Sequence, residues 1–126
     1  MELPSTGVIF FAHGSSIESA NEAVRNVAGA AARRGGFALW ETAFLEGGRP
    51  DLGEAVANLR VAGATRIVVV PYFLTLGLHL QRDLPRIVAE LSGIHKDIDI
   101  SCGEPLDGHP GLVEILADRA AQAVHK

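Results

Sequence analysis

The sequence has 126 residues, of which 48% are apolar and 21% are charged, and its formal net charge is −4. These values predict one globular domain over residues 1–126, exclude disorder, and argue against general nucleic-acid binding, which needs a basic surface. A single cysteine, Cys102, excludes a disulfide framework, and we expect it to be a small buried residue. No apolar run is long enough to span a bilayer, and residues 1–4 do not begin a signal peptide, so we expect a cytoplasmic protein without membrane contact.

The first half of the chain predicts two strands around a helix. Thr6–His13 is apolar without alternation, which is typical of a strand buried on both faces. Ser15–Glu18 has the spacing of a capping box and predicts the start of a helix, which we expect to end at Gly35 and Gly36. Phe37–Leu45 then predicts the second strand.

The middle of the chain predicts a second helix and the strongest strand. Asp51 can cap a helix that ends near Gly63. Thr65–Leu74 follows as the third strand, in which β-branched residues dominate. Thr75–Leu80 is predicted to be a loop.

The last third predicts two more helices around a short strand. The third helix is expected to begin near Asp83, with Pro85 in its first turn. Ile98–Cys102 predicts the fourth strand. The final helix carries one apolar stripe, made of Leu112, Ile115, Leu116, Ala120, Ala123 and Val124. This strict alternation predicts an α/β fold with three layers, α/β/α, around a four-stranded parallel sheet in the order 2-1-3-4.

Ligands of open parallel sheets bind outside the carboxyl ends of the strands, which sorts the histidines. His13, His79 and His109 follow strand ends, whereas His95 precedes the fourth strand and belongs to the opposite edge. With strands 1 and 3 adjacent, His13 and His79 would face one crevice, which Glu46 approaches after strand 2. Two imidazoles and a carboxylate suit cobalt, iron or nickel, although a lone histidine at a strand end is more often a packing residue.

Other residues at this edge suit a flat, anionic ligand. Leu76 and Leu78 flank His79, and an apolar loop around one imidazole favours an apolar ligand that also meets a metal. Arg49 and Arg82 could bind carboxylates, although solvated arginines are the ordinary alternative. Backbone N–H groups at the helix start after His13 offer a further anion site.

Five segments together resemble a known family. They are His13-Gly14-Ser15, Phe44–Glu46 with Pro50–Leu52, Val70–Leu74, Gly77–His79 with Asp83–Pro85, and Gly108–Pro110. In this order, each after a strand, they resemble the small sirohydrochlorin chelatases of the CbiX type, which are class II chelatases. The resemblance extends from about Gly7 to the last helix.

The resemblance implies a chelatase-like half domain that inserts a divalent metal into sirohydrochlorin, a tetrapyrrole with many carboxylates. The metal would be cobalt, or else iron or nickel, the pathway cobalamin or sirohaem biosynthesis, and the lyase reaction would need neither ATP nor an organic cofactor. His13 and His79 would bind the metal and assist its insertion, with Glu46 as a further metal ligand. The implied substrate-binding residues are Gly14, Ser15, Arg49, Leu76, Leu78, Arg82 and His109. Ser16 stands where the family usually has an arginine.

The length also bears on assembly, because longer relatives contain two such halves around a cleft. The resemblance therefore implies a homodimer that rebuilds this cleft. Two other classes of function remain open, a non-catalytic protein that binds the metal or the tetrapyrrole and a phosphate-binding enzyme. The second is disfavoured because Ala12 and Ser16 leave no arginine beside His13.

Overall fold

The computed structural model describes residues 5–126, so the prediction made on residues 1–4 lies outside it. Four strands alternate with four helices in this part of the chain. They are β1 (Thr6–Ala12), α1 (Glu18–Gly35), β2 (Leu39–Phe44), α2 (Leu52–Val61), β3 (Arg66–Tyr72), α3 (Leu78–Ile94), β4 (Asp99–Cys102) and α4 (Gly111–Val124). None of these helices has the length and apolar character needed to cross a bilayer.

The sheet confirms the predicted topology, with four parallel strands in the order β2-β1-β3-β4. Ala12, the last residue of β1, pairs with Phe44 of β2 on one side and with Tyr72 of β3 on the other. Because three strands end at one level, the segments that follow them meet at one edge of the sheet.

The face of the sheet that α2 and α3 cover carries the main hydrophobic core. Ile9 and Phe11 of β1 and Ile67 and Val69 of β3 point to this face and are at most 1% exposed. On the opposite face, beside α1 and α4, Val8 is buried, but Phe10, Val68, Val70 and Tyr72 remain half-buried. The two faces of the sheet are therefore covered unequally.

Helix α4 accounts for much of this difference, because none of its residues is buried. The predicted apolar stripe is present but uncovered, and Ile115, Leu116 and Val124 are between 56% and 77% exposed. An apolar stripe of this kind normally faces a core or a partner.

The starts of α1 and α2 test two capping predictions. The Asp51 cap is confirmed, since its side chain accepts the Glu54 N–H at 2.8 Å and the Glu54 side chain accepts the Asp51 N–H at 3.0 Å. The Ser15 capping box is wrong, because α1 begins only at Glu18, after an Ile17 cap without a side-chain hydrogen bond. The Ser15 hydroxyl instead accepts the Ile17 N–H at 3.0 Å and stabilises a turn before the helix.

Helix α3 begins five residues before the predicted position at Asp83, so the prediction of a loop over Thr75–Leu80 is wrong in its last part. Gly77 is the N-cap, and its carbonyl accepts the Gln81 N–H at 2.9 Å. Pro85 therefore lies inside the helix, at a cost of roughly 3 kcal/mol. Burial of an apolar stripe offsets this cost. The stripe consists of Leu80, Leu84, Val88 and Leu91, which all pack against the core.

Cys102 also differs from expectation, because it is exposed rather than buried. It is the last residue of β4, an edge strand with a neighbour on one side only. Partial burial nevertheless raises the pKa of its thiol, and the nearby Glu104 carboxylate raises it further.

Candidate functional site

Four histidines lie at the edges of the sheet that the sequence predicts for them. His13 directly follows β1, and His109 lies between β4 and α4. His79 is also at this edge, but in the first turn of α3 rather than in a loop. His95 caps the carboxyl end of α3, at the opposite edge.

His13 and Glu46, two predicted metal ligands, lie close together at this edge, with His13 Nε2 3.4 Å from Glu46 Oε1. His13 Nδ1 lies 3.1 Å from the Gly14 carbonyl oxygen. A carbonyl only accepts, so in the neutral ring this bond places the proton on Nδ1 and leaves the Nε2 lone pair facing the carboxylate. Two acceptors that face each other form an arrangement that a cation can bridge.

Backbone contacts between the two loops bring this pair together. The Leu45 N–H donates to the Ala12 carbonyl at 2.9 Å, and the Glu46 N–H donates to the His13 carbonyl at 3.0 Å. Gly14 has a φ of +89°, and a Cβ there would lie 1.7 Å from the Glu46 carbonyl oxygen. Only glycine allows the loops after β1 and β2 to approach this closely.

Asn21 of α1 also contacts both loops, and the sequence reasoning missed it. It is 1% exposed and forms hydrogen bonds with the backbone of Ser15 and of Gly47. The signal was available in the sequence, because Asn21 shares the inner stripe of α1 with Val24, Ala28 and Ala32. A polar residue in such a stripe needs buried hydrogen-bond partners.

His79 does not join the His13–Glu46 pair in this structure. Within residues 5–126, no three His, Cys, Asp or Glu side chains lie close enough together to hold one metal ion. His79 is exposed on α3, and its role as a metal ligand stays a prediction.

Several apolar residues are neighbours of His79 in the sequence. Leu74 and Leu78 are 62% and 80% exposed, while Leu76 is half-buried. Leu80 instead packs against the core and anchors the first turn of α3. Aliphatic surface of this kind is available to an apolar ligand face.

The two predicted arginines differ in their surroundings. The Arg49 guanidinium forms an ion pair with Glu54, and this contact, followed by the Asp51 backbone hydrogen bond, lowers the pKa of the Glu54 carboxyl. Arg82 is exposed on α3 and forms no ion pair within residues 5–126. Arg82 is therefore the freer of the two to bind an anionic group.

His109 has a structural role that its position in the sequence does not reveal. Its Nδ1 accepts the Gly111 N–H at 2.9 Å, at the start of α4. The ring proton then lies on Nε2, which makes the exposed Nε2–H a hydrogen-bond donor rather than a metal ligand.

Two cavities meet at Tyr72, the last residue of β3. One, of about 220 Å³, is lined by His13, Gly14, Ser15 and Asn21 among others. The second, of about 280 Å³, is an almost wholly apolar groove between α1 and α4 that includes Ile115. Tyr72 therefore lines both the edge site and the groove on the uncovered face.

Comparisons with known proteins agree with these features. The family model described as CbiX matches residues 7–123. The sirohydrochlorin cobaltochelatase of Saccharolobus islandicus (strain L.S.2.15 / Lassen #1) is 33% identical over 126 residues, covering 95% of this chain and 97% of that protein. The protein of the same name from Methanosarcina barkeri (strain Fusaro / DSM 804) is 28% identical over 94% of this chain and 96% of its own.

Solved structures show the same fold. A CbiX protein from Marinobacter aquaeolei VT8 superimposes with a TM-score of 0.84 at 27% identity, covering 95% of this chain and 98% of that chain. The sirohydrochlorin chelatase SirB from Bacillus subtilis subspecies spizizenii, solved in complex with cobalt, matches with a TM-score of 0.74 at 26% identity. That match covers 80% of this chain but 43% of SirB, which is therefore considerably longer.

Proposed function

The chain belongs to the CbiX family, and on this premise we propose that it inserts a divalent metal, cobalt first, into sirohydrochlorin. The observation that carries the proposal is the His13–Glu46 pair at the carboxyl edge of the sheet. It lies in a chain that aligns over 95% of its length with proteins named sirohydrochlorin cobaltochelatase. The reaction exchanges two pyrrole N–H protons for one metal ion and needs neither ATP nor an organic cofactor.

Holding the metal is the first task of the site. His13 Nε2 and the Glu46 carboxylate face each other at 3.4 Å, and both side chains are more than half exposed. We assign His79 as a further ligand that engages when the substrate binds. A ligand set that stays incomplete retains the ion weakly enough to transfer it, unlike a closed site with four protein ligands.

Removal of the pyrrole protons is the second task. Imidazole is the side chain whose charge normally changes between pH 5 and 8, so a neutral histidine can accept a proton from the ring as the metal enters. We assign this step to His13 or His79, whichever imidazole the metal has released. The two protons pass one after the other through this imidazole to solvent, since both residues are exposed.

The macrocycle needs apolar walls and partners for its carboxylates. The exposed Leu78 and the half-buried Leu76 suit the flat ring. Arg82, the His109 Nε2–H group, the Gly14 backbone and the Ser15 hydroxyl suit the carboxylates, since the Ser15 N–H already donates to Asn21 Oδ1. Arg49 contributes only if a carboxylate displaces Glu54 from its guanidinium.

The test is an anaerobic insertion assay that contains only protein, sirohydrochlorin and one metal. Cobalt, ferrous iron and nickel are supplied in turn, and conversion is read from the absorption spectrum. We expect conversion above the uncatalysed rate, fastest with cobalt. Binding of sirohydrochlorin without conversion would support a second candidate, a non-catalytic tetrapyrrole-binding protein, which is favoured by Ser16 in place of the family's arginine.

We also propose that two copies associate through the uncovered face formed by α4 and the groove beside α1. Val27, Leu106, Ile115, Leu116 and Val124 are exposed there. Exposed apolar side chains of this kind suit the centre of an interface, and a standard interface buries ~800 Å² per partner. Tyr72 lines both the groove and the His13 cavity, so a second copy seated on the groove would lie beside the site.

Sedimentation at micromolar concentration tests this assembly. We expect the wild type to be a dimer and Leu116→Glu to be a monomer, because a carboxylate on the apolar stripe cannot be buried without a partner. Ala121→Glu adds the same charge on the far side of α4 and should leave the dimer intact. A wild-type protein that sediments only as a 13.3 kDa species would contradict the proposal.

A further inference from the structure

Asn21 connects two loops through a single buried side chain. Its Oδ1 accepts the Ser15 N–H at 2.9 Å, and its Nδ2 donates to the carbonyls of Ser15 at 2.8 Å and of Gly47 at 3.1 Å. Ser15 belongs to the loop after β1, and Gly47 belongs to the loop after β2. The amide of Asn21 thus uses its acceptor and its donors to hold the two loops together.

The same loops carry the candidate metal-binding pair. His13 lies two residues before Ser15, and Glu46 directly precedes Gly47. The Glu46 N–H donates to the His13 carbonyl at 3.0 Å. A Cβ on Gly47 would lie 2.7 Å from the Ser15 carbonyl carbon, which shows how closely the two backbones pack.

The pair itself has little packing to fix its geometry. The side chains of His13 and Glu46 are 61% and 69% exposed. Their separation therefore depends on the backbones that carry them, and Asn21 is the buried side chain that binds both backbones.

We infer that Asn21 is a positioning residue that sets the separation between His13 Nε2 and Glu46 Oε1. This inference rests on the proposed function and extends it to a residue that touches neither metal nor substrate. An amide is required because its surroundings present one N–H donor, two carbonyl acceptors and, at 3.4 Å, a Glu18 carboxylate oxygen. Misplacement of reacting groups by about 1 Å costs on the order of 100-fold in rate.

The test compares Asn21→Asp and Asn21→Ala with the wild type. Asn21→Asp keeps the size of the side chain and the acceptor for the Ser15 N–H, but it places a carboxylate oxygen against two carbonyls. Asn58→Ala is the matched control, because Asn58 is exposed on α2 and its side chain contacts only Glu41 by hydrogen bond, at 3.5 Å. Val88→Ala, which weakens the core under α3, controls for lost stability.

Three measurements are made at a temperature where every variant is folded. Amide hydrogen exchange measures the opening of the two loops, and calorimetric titration with cobalt alone measures the affinity of the His13–Glu46 pair for the metal. The insertion assay gives kcat and KM. For both Asn21 variants we expect exchange at Ser15 and Glu46 to accelerate at least tenfold, cobalt affinity to fall about tenfold, and kcat to fall by ten- to 100-fold with little change in KM. Asn58→Ala and Val88→Ala should match the wild type in cobalt affinity and kcat.

The possible results distinguish a failure of the inference about Asn21 from a failure of the proposed function. Faster exchange in the loops with unchanged cobalt affinity and kcat would overturn the inference, because Asn21 would then stabilise the loops without positioning the pair. Equal losses in Val88→Ala would also overturn it. A wild type that binds cobalt but inserts none would contradict the proposed function, while the cobalt titration of the Asn21 variants would still decide whether Asn21 positions the pair.

Discussion

The two faces of the sheet differ in how completely the helices cover them. The face under α2 and α3 is packed with aliphatic and aromatic side chains whose exposure is mostly below a tenth. The face under α1 and α4 has a thinner core, a buried asparagine that binds two loops, and a helix with no buried residue. Burial on the first face stabilises the fold, whereas the second face keeps apolar surface exposed on α4.

The largest expected effect comes from His79, on the helix that joins the packed face to the site. We expect His79→Ala to reduce metal insertion by at least 100-fold, because the imidazole proposed to bind the metal and accept a pyrrole proton is lost. The free energy of unfolding should change little, since His79 is exposed in the first turn of α3 and alanine favours a helix. His125→Ala, near the carboxyl terminus, is the control. Near-normal insertion by His79→Ala would refute the assignment of this ligand.

The next effect compares the two faces directly. Leu84→Ala removes a side chain that is 1% exposed under α3 and should lower the free energy of unfolding by about 2–5 kcal/mol. Ile115→Ala, on α4, should cost less than about 1 kcal/mol in the monomer, because Ile115 is 56% exposed. Urea denaturation at low protein concentration measures both changes. Equal losses would show that α4 is packed as firmly as α3.

Some features of the fold follow from local sequence patterns and could be predicted, whereas others depend on contacts between distant residues. The order of strands and helices is a local pattern, and it predicted the sheet order correctly, while the residue type at the start of α2 predicted the Asp51 cap. The predicted start of α3 is too late, because a proline such as Pro85 is typical of a first turn. Burial of Leu80 and Leu84 instead stabilises helix on the amino-terminal side of the proline. The network around Asn21 joins residues up to 26 positions apart, and only the fold brings such partners together.

The smallest effect concerns the Arg49–Glu54 ion pair at the start of α2. The Arg49 guanidinium lowers the pKa of Glu54 in the folded protein. Its contribution to stability is therefore complete above the ordinary Glu pKa of 4.5 and is lost as the pH falls through the lower folded value. Glu54→Gln should be slightly less stable than the wild type at pH 7, and the difference should shrink near pH 3. A difference that grows in acid would reverse the sign and contradict this account.

The measurement that tests the central claim most directly is metal insertion by His13→Ala, beside the wild type and under anaerobic conditions with cobalt. His13 is exposed, and the polar contacts of its side chain are with the Gly14 carbonyl and the Glu46 carboxylate. His13→Ala should therefore keep the fold and its stability. We expect a loss of at least 100-fold in the rate of insertion together with weaker binding of cobalt alone. Insertion and cobalt binding at wild-type levels would contradict the claim that the His13–Glu46 pair is the centre of the reaction.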